Sequence, residues 1–178
     1  MNRKKITVDI LAHANAGKTT LTEQLLYYNG IIDRVGRVDD GDTVSDSMDL
    51  ERARGISIRD SLVTFPIGGC VIQLIDTPGH IDFSAEVERA INVLDLAILI
   101  VSAADGIEAQ TLFIWNALTR RGIPVIIFAN KVDRLGANYE EIYELICKNL
   151  SCNIITINEF YKENEYIFIR TCSDEAIM

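Results

Sequence analysis

The sequence predicts an α/β domain built on a mostly parallel sheet with helices on both faces. Three observations lead there. Strand and helix patterns alternate along the chain. Two strand candidates, "LAILIVSA" and "IPVIIFAN", are apolar throughout, as expected of strands covered on both faces. Three motif candidates, at 12–19, 76–80 and 130–133, each follow the end of a strand candidate, and such sheets bind ligands beyond the carboxyl ends of their strands.

Taken in order, residues 6–11 form a short strand, and 19–28 have helical spacing of Leu21, Leu25 and Leu26. From 29 to about 56 the chain holds Gly30, Gly36, Gly41 and Gly55, many aspartates and little periodicity. A loop of that length inside a compact domain is expected to be functional. "SLVTFPI" and "CVIQLI" flank Gly68-Gly69, a hairpin signal. Residues 83–93 read as a helix, "LAILIVSA" as a buried strand, 108–120 as a helix and "IPVIIFAN" as another buried strand. Residues 139–149 form a helix with Ile142, Leu145 and Ile146 on one face. "NIITI" and "YIFIR" read as two further strands bridged by the polar "YKENE".

Composition narrows the classes. A chain of 178 residues, 48% apolar and 24% charged, suits one domain with a full core. A net charge of −9 disfavours direct DNA binding, which needs clustered Lys and Arg. Cys70, Cys147, Cys152 and Cys172 lack C-x-x-C spacing, and with only two histidines a zinc site is not expected. Reduced thiols, no leader and no long apolar run give the expectation of a cytoplasmic chain without a membrane segment.

"AHANAGKTT" follows the first strand and opens the first helix. Phosphate oxygens need backbone N–H donors converging at a helix N-terminus. Gly17 allows close approach, Lys18 offers a charge to the β- and γ-phosphates, and Thr19 offers a hydroxyl to Mg²⁺. Ala12 stands where a strict phosphate loop has glycine, a position that needs only a small residue. The span Ala12, His13, Ala14, Asn15, Ala16, Gly17, Lys18, Thr19 and Thr20 is the candidate phosphate contact; a plain helix start is its alternative. Asp76-Thr77-Pro78-Gly79 offers a second Mg²⁺ anchor at Asp76 and a backbone N–H from Gly79 for a terminal phosphate, or is simply a turn. In Asn130-Lys131-Val132-Asp133, the Asp133 carboxylate can accept from both N1–H and N2–H₂ of guanine, a donor pair adenine lacks. The Lys131 stem can lie over the base, and Asn130 can tie loops together. Alone this motif could be a solvated turn. In third place after the other two, it favours GTP over ATP.

These motifs resemble the GTP-binding domain of translational GTPases of the elongation factor G type. The likeness extends through "DTPGHIDFSAEVERAINVLD" and "NKVDRLGAN". The stretch "LLYYNGIIDRVGRVDDGDTVSDSMDLERARGISIRDS" is most similar to the tetracycline-resistance ribosomal protection proteins. The resemblance covers about residues 4–150 and implies a phosphate-loop NTPase G domain. It implies that His80 orients the attacking water and that Ser57, in the first switch segment, takes the place of a Mg²⁺-coordinating Thr. Thr19, Ser57 and Asp76 are then the Mg²⁺ ligands, with GTP and GDP as substrate and product and the ribosome as partner of a monomeric protein. Asp39, Asp40, Asp42, Asp46 and Asp49 resemble a metal cluster but read rather as a solvated mobile loop. His13 is read as packing or a polar link.

Three residues depart from the family pattern. Asn15 replaces Asp, and by analogy with potassium-dependent GTPases it could hold K⁺ through its carbonyl. Ala14 replaces Val and thins an apolar gate shared with Ile56, which implies faster intrinsic hydrolysis. Asp9 replaces a small residue in the first strand, where a buried carboxylate is costly unless paired. No Ser-Ala fifth guanine contact stands in its usual context. Proteins of the resembled family continue into several more domains, so the chain is expected to be an excised N-terminal piece or the product of a truncated gene. Alternatives are a translocase domain of elongation factor G and a non-catalytic guanine-nucleotide-binding module.

Overall fold

The computed structural model describes residues 3–35, 62–75, 90–150, 154–163 and 166–171. Its order is β1 (Lys5–Ala12), α1 (Lys18–Tyr28), β2 (Leu62–Ile67), β3 (Cys70–Ile75), β4 (Leu96–Ser102), α2 (Ala109–Arg120), β5 (Val125–Asn130), α3 (Tyr139–Asn149), β6 (Asn158–Glu163) and β7 (Tyr166–Thr171). One sheet runs β2-β3-β1-β4-β5. β1 pairs in parallel with β3 and β4, and β4 in parallel with β5, while β2 is an antiparallel edge. The sheet is thus mixed and mostly parallel, as its sequence implies.

The hairpin β2–β3 turns on Gly68 and Gly69, with φ of 53° and 89°. Two successive positive φ values suit the primed turn that matches strand twist. α1 ends at Asn29 followed by Gly30 at φ 68°. There the Gly30 and Ile31 N–H groups bond back to the Tyr27 and Leu26 carbonyls, closing the helix end. α3 is capped by Asn138, whose side chain accepts from the Glu141 N–H. Glu140 and Glu141 lie in its first turn and Lys148 in its last, each favourable to the helix dipole.

Side chains alternate along the strands, so the core has two sides. Val8, Ile10 and Ile100 pack with Leu26 of α1, Val63, Phe65 and Leu74. On the opposite face Leu11, Ala97 and Leu99 meet Ile114 and Leu118 of α2, and Val101 meets Ile142 and Ile146 of α3. Burying one Leu or Ile side chain contributes about 1.5–3 kcal/mol.

Three expectations change. "NIITI" is not a strand: 154–157 are irregular, with Ile155 and Ile157 exposed. The strand begins at Asn158, where Phe160 can turn inward onto Tyr139 and the α3 face. Among the described residues β6 then pairs with β7 alone, as a separate two-stranded sheet. "IPVIIFAN" is not buried throughout, because β5 is the sheet edge, and Ile126 and Phe128 are exposed. On α3, Ile142 and Ile146 are buried, but Leu145 is 39% exposed.

The helix expected over 83–93 lies mostly outside the described residues; Ala90 and Ile91 are helical and Ile91 is buried. Among the described residues no helix is long and apolar enough to cross a membrane, and no cluster of three metal-ligating side chains occurs. Cys70 and Cys147 are free thiols.

Candidate functional site

Parallel pairing puts the carboxyl ends of β1, β3, β4 and β5 at one edge of the sheet. Register aligns Ala12 with Ile100, and Ser102 with Asn130. The loop after β1 and the loop after β5 therefore open on the same side, flanking the end of β4.

The loop 12–18 wraps from β1 into α1. Ala12, His13 and Ala16 are buried, whereas Ala14 and Asn15 are exposed at its lip. The Ala16 N–H bonds to the His13 carbonyl at 3.2 Å, making a tight turn. Asn15 sits at φ 62°, a left-handed conformation that Asn tolerates better than most residues. Gly17 has φ 104°, and a Cβ there would collide with Asn130 Nδ2. Only glycine meets both demands. α1 starts without a side-chain cap and without an acidic residue in its first turn. Its first N–H groups thus point outward with the positive end of the helix dipole, an arrangement suited to an anion. Thr19 follows Lys18 there, half-buried, and Thr20 is exposed. The Thr19 hydroxyl is a hard oxygen donor at the start of α1, of the kind that would suit Mg²⁺.

Asn130 ends β5, and its Nδ2 donates to the Ala16 carbonyl at 2.8 Å. The loops are tied together as the sequence suggests for this residue. Lys131 has φ 57°, and its Nζ donates to Asp105 Oδ2 at 2.8 Å. Ser102 at the end of β4 donates its hydroxyl to the same oxygen at 2.7 Å, and receives the Asp105 N–H at 3.1 Å. The hydrogen bond from Lys131, then that from Ser102, holds the Asp105 carboxyl below its usual range. Asp133 is exposed at the open end of this loop, free to face a ligand from solvent.

The start of α2 braces the phosphate loop. The Ala14 N–H donates to Gln110 Oε1 at 3.2 Å, and His13 Nδ1 lies 3.4 Å from Glu108 Oε2. His13 is thus buried with its ring beside a carboxylate, within ion-pair distance. Sequence reasoning missed Gln110, Glu108, Ser102 and Asp105. The one available signal was "SAADG", a polar cluster at a strand end like the other motifs. It also missed the surroundings of Asp9, whose Oδ1 lies 3.6 Å from Lys18 Nζ. The residues Ser57, Asp76, Thr77, Pro78, Gly79 and His80, and the aspartates 39, 40, 42, 46 and 49, lie outside the described residues.

The chain is similar to known proteins. The family described as "Elongation factor Tu GTP binding domain" matches residues 3–176. The tetracycline resistance protein TetP of Clostridium perfringens is 47% identical over 99% of this chain and 27% of its own length. The oxytetracycline resistance protein of Streptomyces rimosus is 51% identical over 83% of this chain and 22% of its own. The mitochondrial ribosome-releasing factor 2 of Schizosaccharomyces pombe is 50% identical over 82% of this chain and 18% of its own. The chain spans about a quarter or less of the length of these relatives. A crystal structure from Thermus thermophilus superposes with a TM-score of 0.71 at 28% identity, covering 96% of this chain and 28% of that one. A phosphate-loop NTPase fold, with its loops gathered at one sheet edge and a family match across nearly every residue, makes this chain a member of the elongation factor Tu GTP-binding domain family.

Proposed function

We propose that the chain binds GTP and GDP and hydrolyses GTP, as the switch domain of a ribosome-associated protein that protects the ribosome against tetracycline. The observation that carries the nucleotide reading is the Asn130–Ala16 hydrogen bond. It fixes the spacing between a loop suited to phosphate and a loop suited to guanine. The resistance proteins among the relatives support the protection role.

In this reading the N–H groups of the 12–20 span and Lys18 hold the phosphates, Asp133 selects guanine, and the Lys131 stem covers the base while Asp105 steers its ammonium. Thr19, Ser57 and Asp76 would hold Mg²⁺, which when bound neutralises charge on the phosphate oxygens. His80 would orient water toward the γ-phosphate, and Gly79, with Thr77 and Pro78 before it, would offer that phosphate a backbone N–H. Asn15 offers its carbonyl to K⁺ at the exposed lip of the loop. Hydrolysis by the chain alone is slow, because positioning of His80 is left to the ribosome. The protein acts as a monomer in the cytoplasm, apart from membranes and DNA.

Calorimetric titration with GDP, GTP and ATP tests the nucleotide reading. GDP and GTP binding without measurable ATP binding is the expected result; equal affinity for ATP would sink it. The S. pombe relative's name points to ribosome release as a second reading. Tetracycline resistance conferred on a sensitive host by the whole gene separates protection from release or translocation.

A further inference from the structure

Central strands of a parallel sheet are apolar because an ionised carboxylate is costly to remove from water. β1 breaks this rule at Asp9. The residue is fully buried, aligned with Ile75 of β3 on one side and Ala97 of β4 on the other. Its Oδ1 lies 3.6 Å from the ammonium of Lys18, a side chain itself only 12% exposed. Lys18 is also the cation that the nucleotide reading assigns to the phosphates. One ammonium held near a buried carboxylate is already electrostatically compensated, and an arriving anion gains less from it than from an uncompensated charge.

We infer that Asp9 is an internal counter-ion for Lys18, which competes with nucleotide phosphate for that ammonium and so lowers the affinity for GDP and GTP alike. The inference rests on the reading of the loop as a nucleotide site. Binding requires Lys18 to be shared with the phosphates or drawn from Asp9. Release is eased because Asp9, fixed in the central strand, is there to receive Lys18 again. The carboxylate thus tunes exchange from beneath the loop without touching the nucleotide.

The test uses the full 178-residue chain with Mg²⁺ and a fluorescent GDP analogue. Asp9→Asn keeps the shape and removes the charge. Binding is expected to tighten about tenfold, chiefly through slower dissociation, on the scale of one modest charge interaction. Unchanged or weaker binding by Asp9→Asn overturns the inference. Should Asp9→Asn fail to fold, Asp9→Ser serves the same measurement. A second readout needs no nucleotide: Lys18→Met leaves the carboxylate without this cation and should lower the melting midpoint by about 5 °C. The double variant Lys18→Met/Asp9→Asn should recover most of that loss. A Lys18→Met midpoint equal to wild type also overturns the inference. A wild-type chain that binds no guanine nucleotide refutes the reading of the loop and this inference with it; wild-type binding beside unchanged variant affinity refutes the inference alone.

Discussion

Replacing Gly17 by alanine challenges the tightest point of the site. The backbone there has φ 104°, and the added methyl would meet Asn130 Nδ2. Left-handed backbone costs an L-residue about 1–2 kcal/mol. Asn130 must also give way, losing its 2.8 Å bond to the Ala16 carbonyl, a further loss of about 1 kcal/mol. Gly17→Ala should therefore destabilise the domain by about 2–3 kcal/mol. Asn130→Ala alone forfeits only the hydrogen bond, about 1 kcal/mol. In the double variant the collision is gone and the hydrogen bond is already absent, so the total remains about 2–3 kcal/mol. The two changes are thus sub-additive by about 1 kcal/mol, well outside the scatter for independent sites. Urea unfolding of the four proteins at pH 7 measures this cycle. Additive losses would refute the claim that Gly17 is required because of Asn130. The nucleotide should report the same geometry, with Asn130→Ala weakening GDP binding about tenfold, in line with one well-placed hydrogen bond.

Two further outcomes are expected. Asp133→Asn should exchange guanine for xanthine preference in competition binding, since the amide supplies a donor where the carboxylate accepts; retained guanine selectivity would show that Asp133 does not read the base. Asp105→Asn should remove the ion pair to Lys131. Because that pair holds the Asp105 carboxyl below its usual range, its contribution is present at neutral pH and is lost as acid takes the pH below about 4 and through the depressed value. The Asp105 side chain is 43% exposed, so the gap at pH 7 should be about 0.2–1 kcal/mol. Urea midpoints of both proteins at pH 7 and pH 3 check the sign, and a gap that widens in acid contradicts it.

Much of the domain was legible because local chemistry and fold agree. Gly68-Gly69 suited a tight hairpin, and the motifs after β1 and β5 do open at one edge of the sheet. β5 misled for a tertiary reason: an unbroken apolar run suits a central strand, yet this one lies at the sheet edge, and nothing in "VIIFAN" encodes its neighbours. "NIITI" misled because β-branched residues favour strands only where a partner exists. The register of the last hairpin follows instead from where Phe160 can reach α3. Within the site, Asn130 was legible from its motif. Gln110 and Asp105 were not, since the bonds that join them to Ala14 and Lys131 span 96 and 26 positions of the chain. Asp9 stood out as an anomaly, but only folding brings Lys18 to it.

α2 has a mechanical consequence for the loop it supports. Its first turn, through Gln110, and its N-terminal flank, through Glu108, hold Ala14 and His13. Its twelve residues extend about 18 Å to Arg120 on the opposite side of the domain. A hydrogen-bonded helix is stiff along its axis, so α2 works as a push-rod. A push or tilt applied near Arg120 would reach the lip of the loop through Gln110 and Glu108. The loop's support thus comes from an element whose far end lies remote from the loop itself.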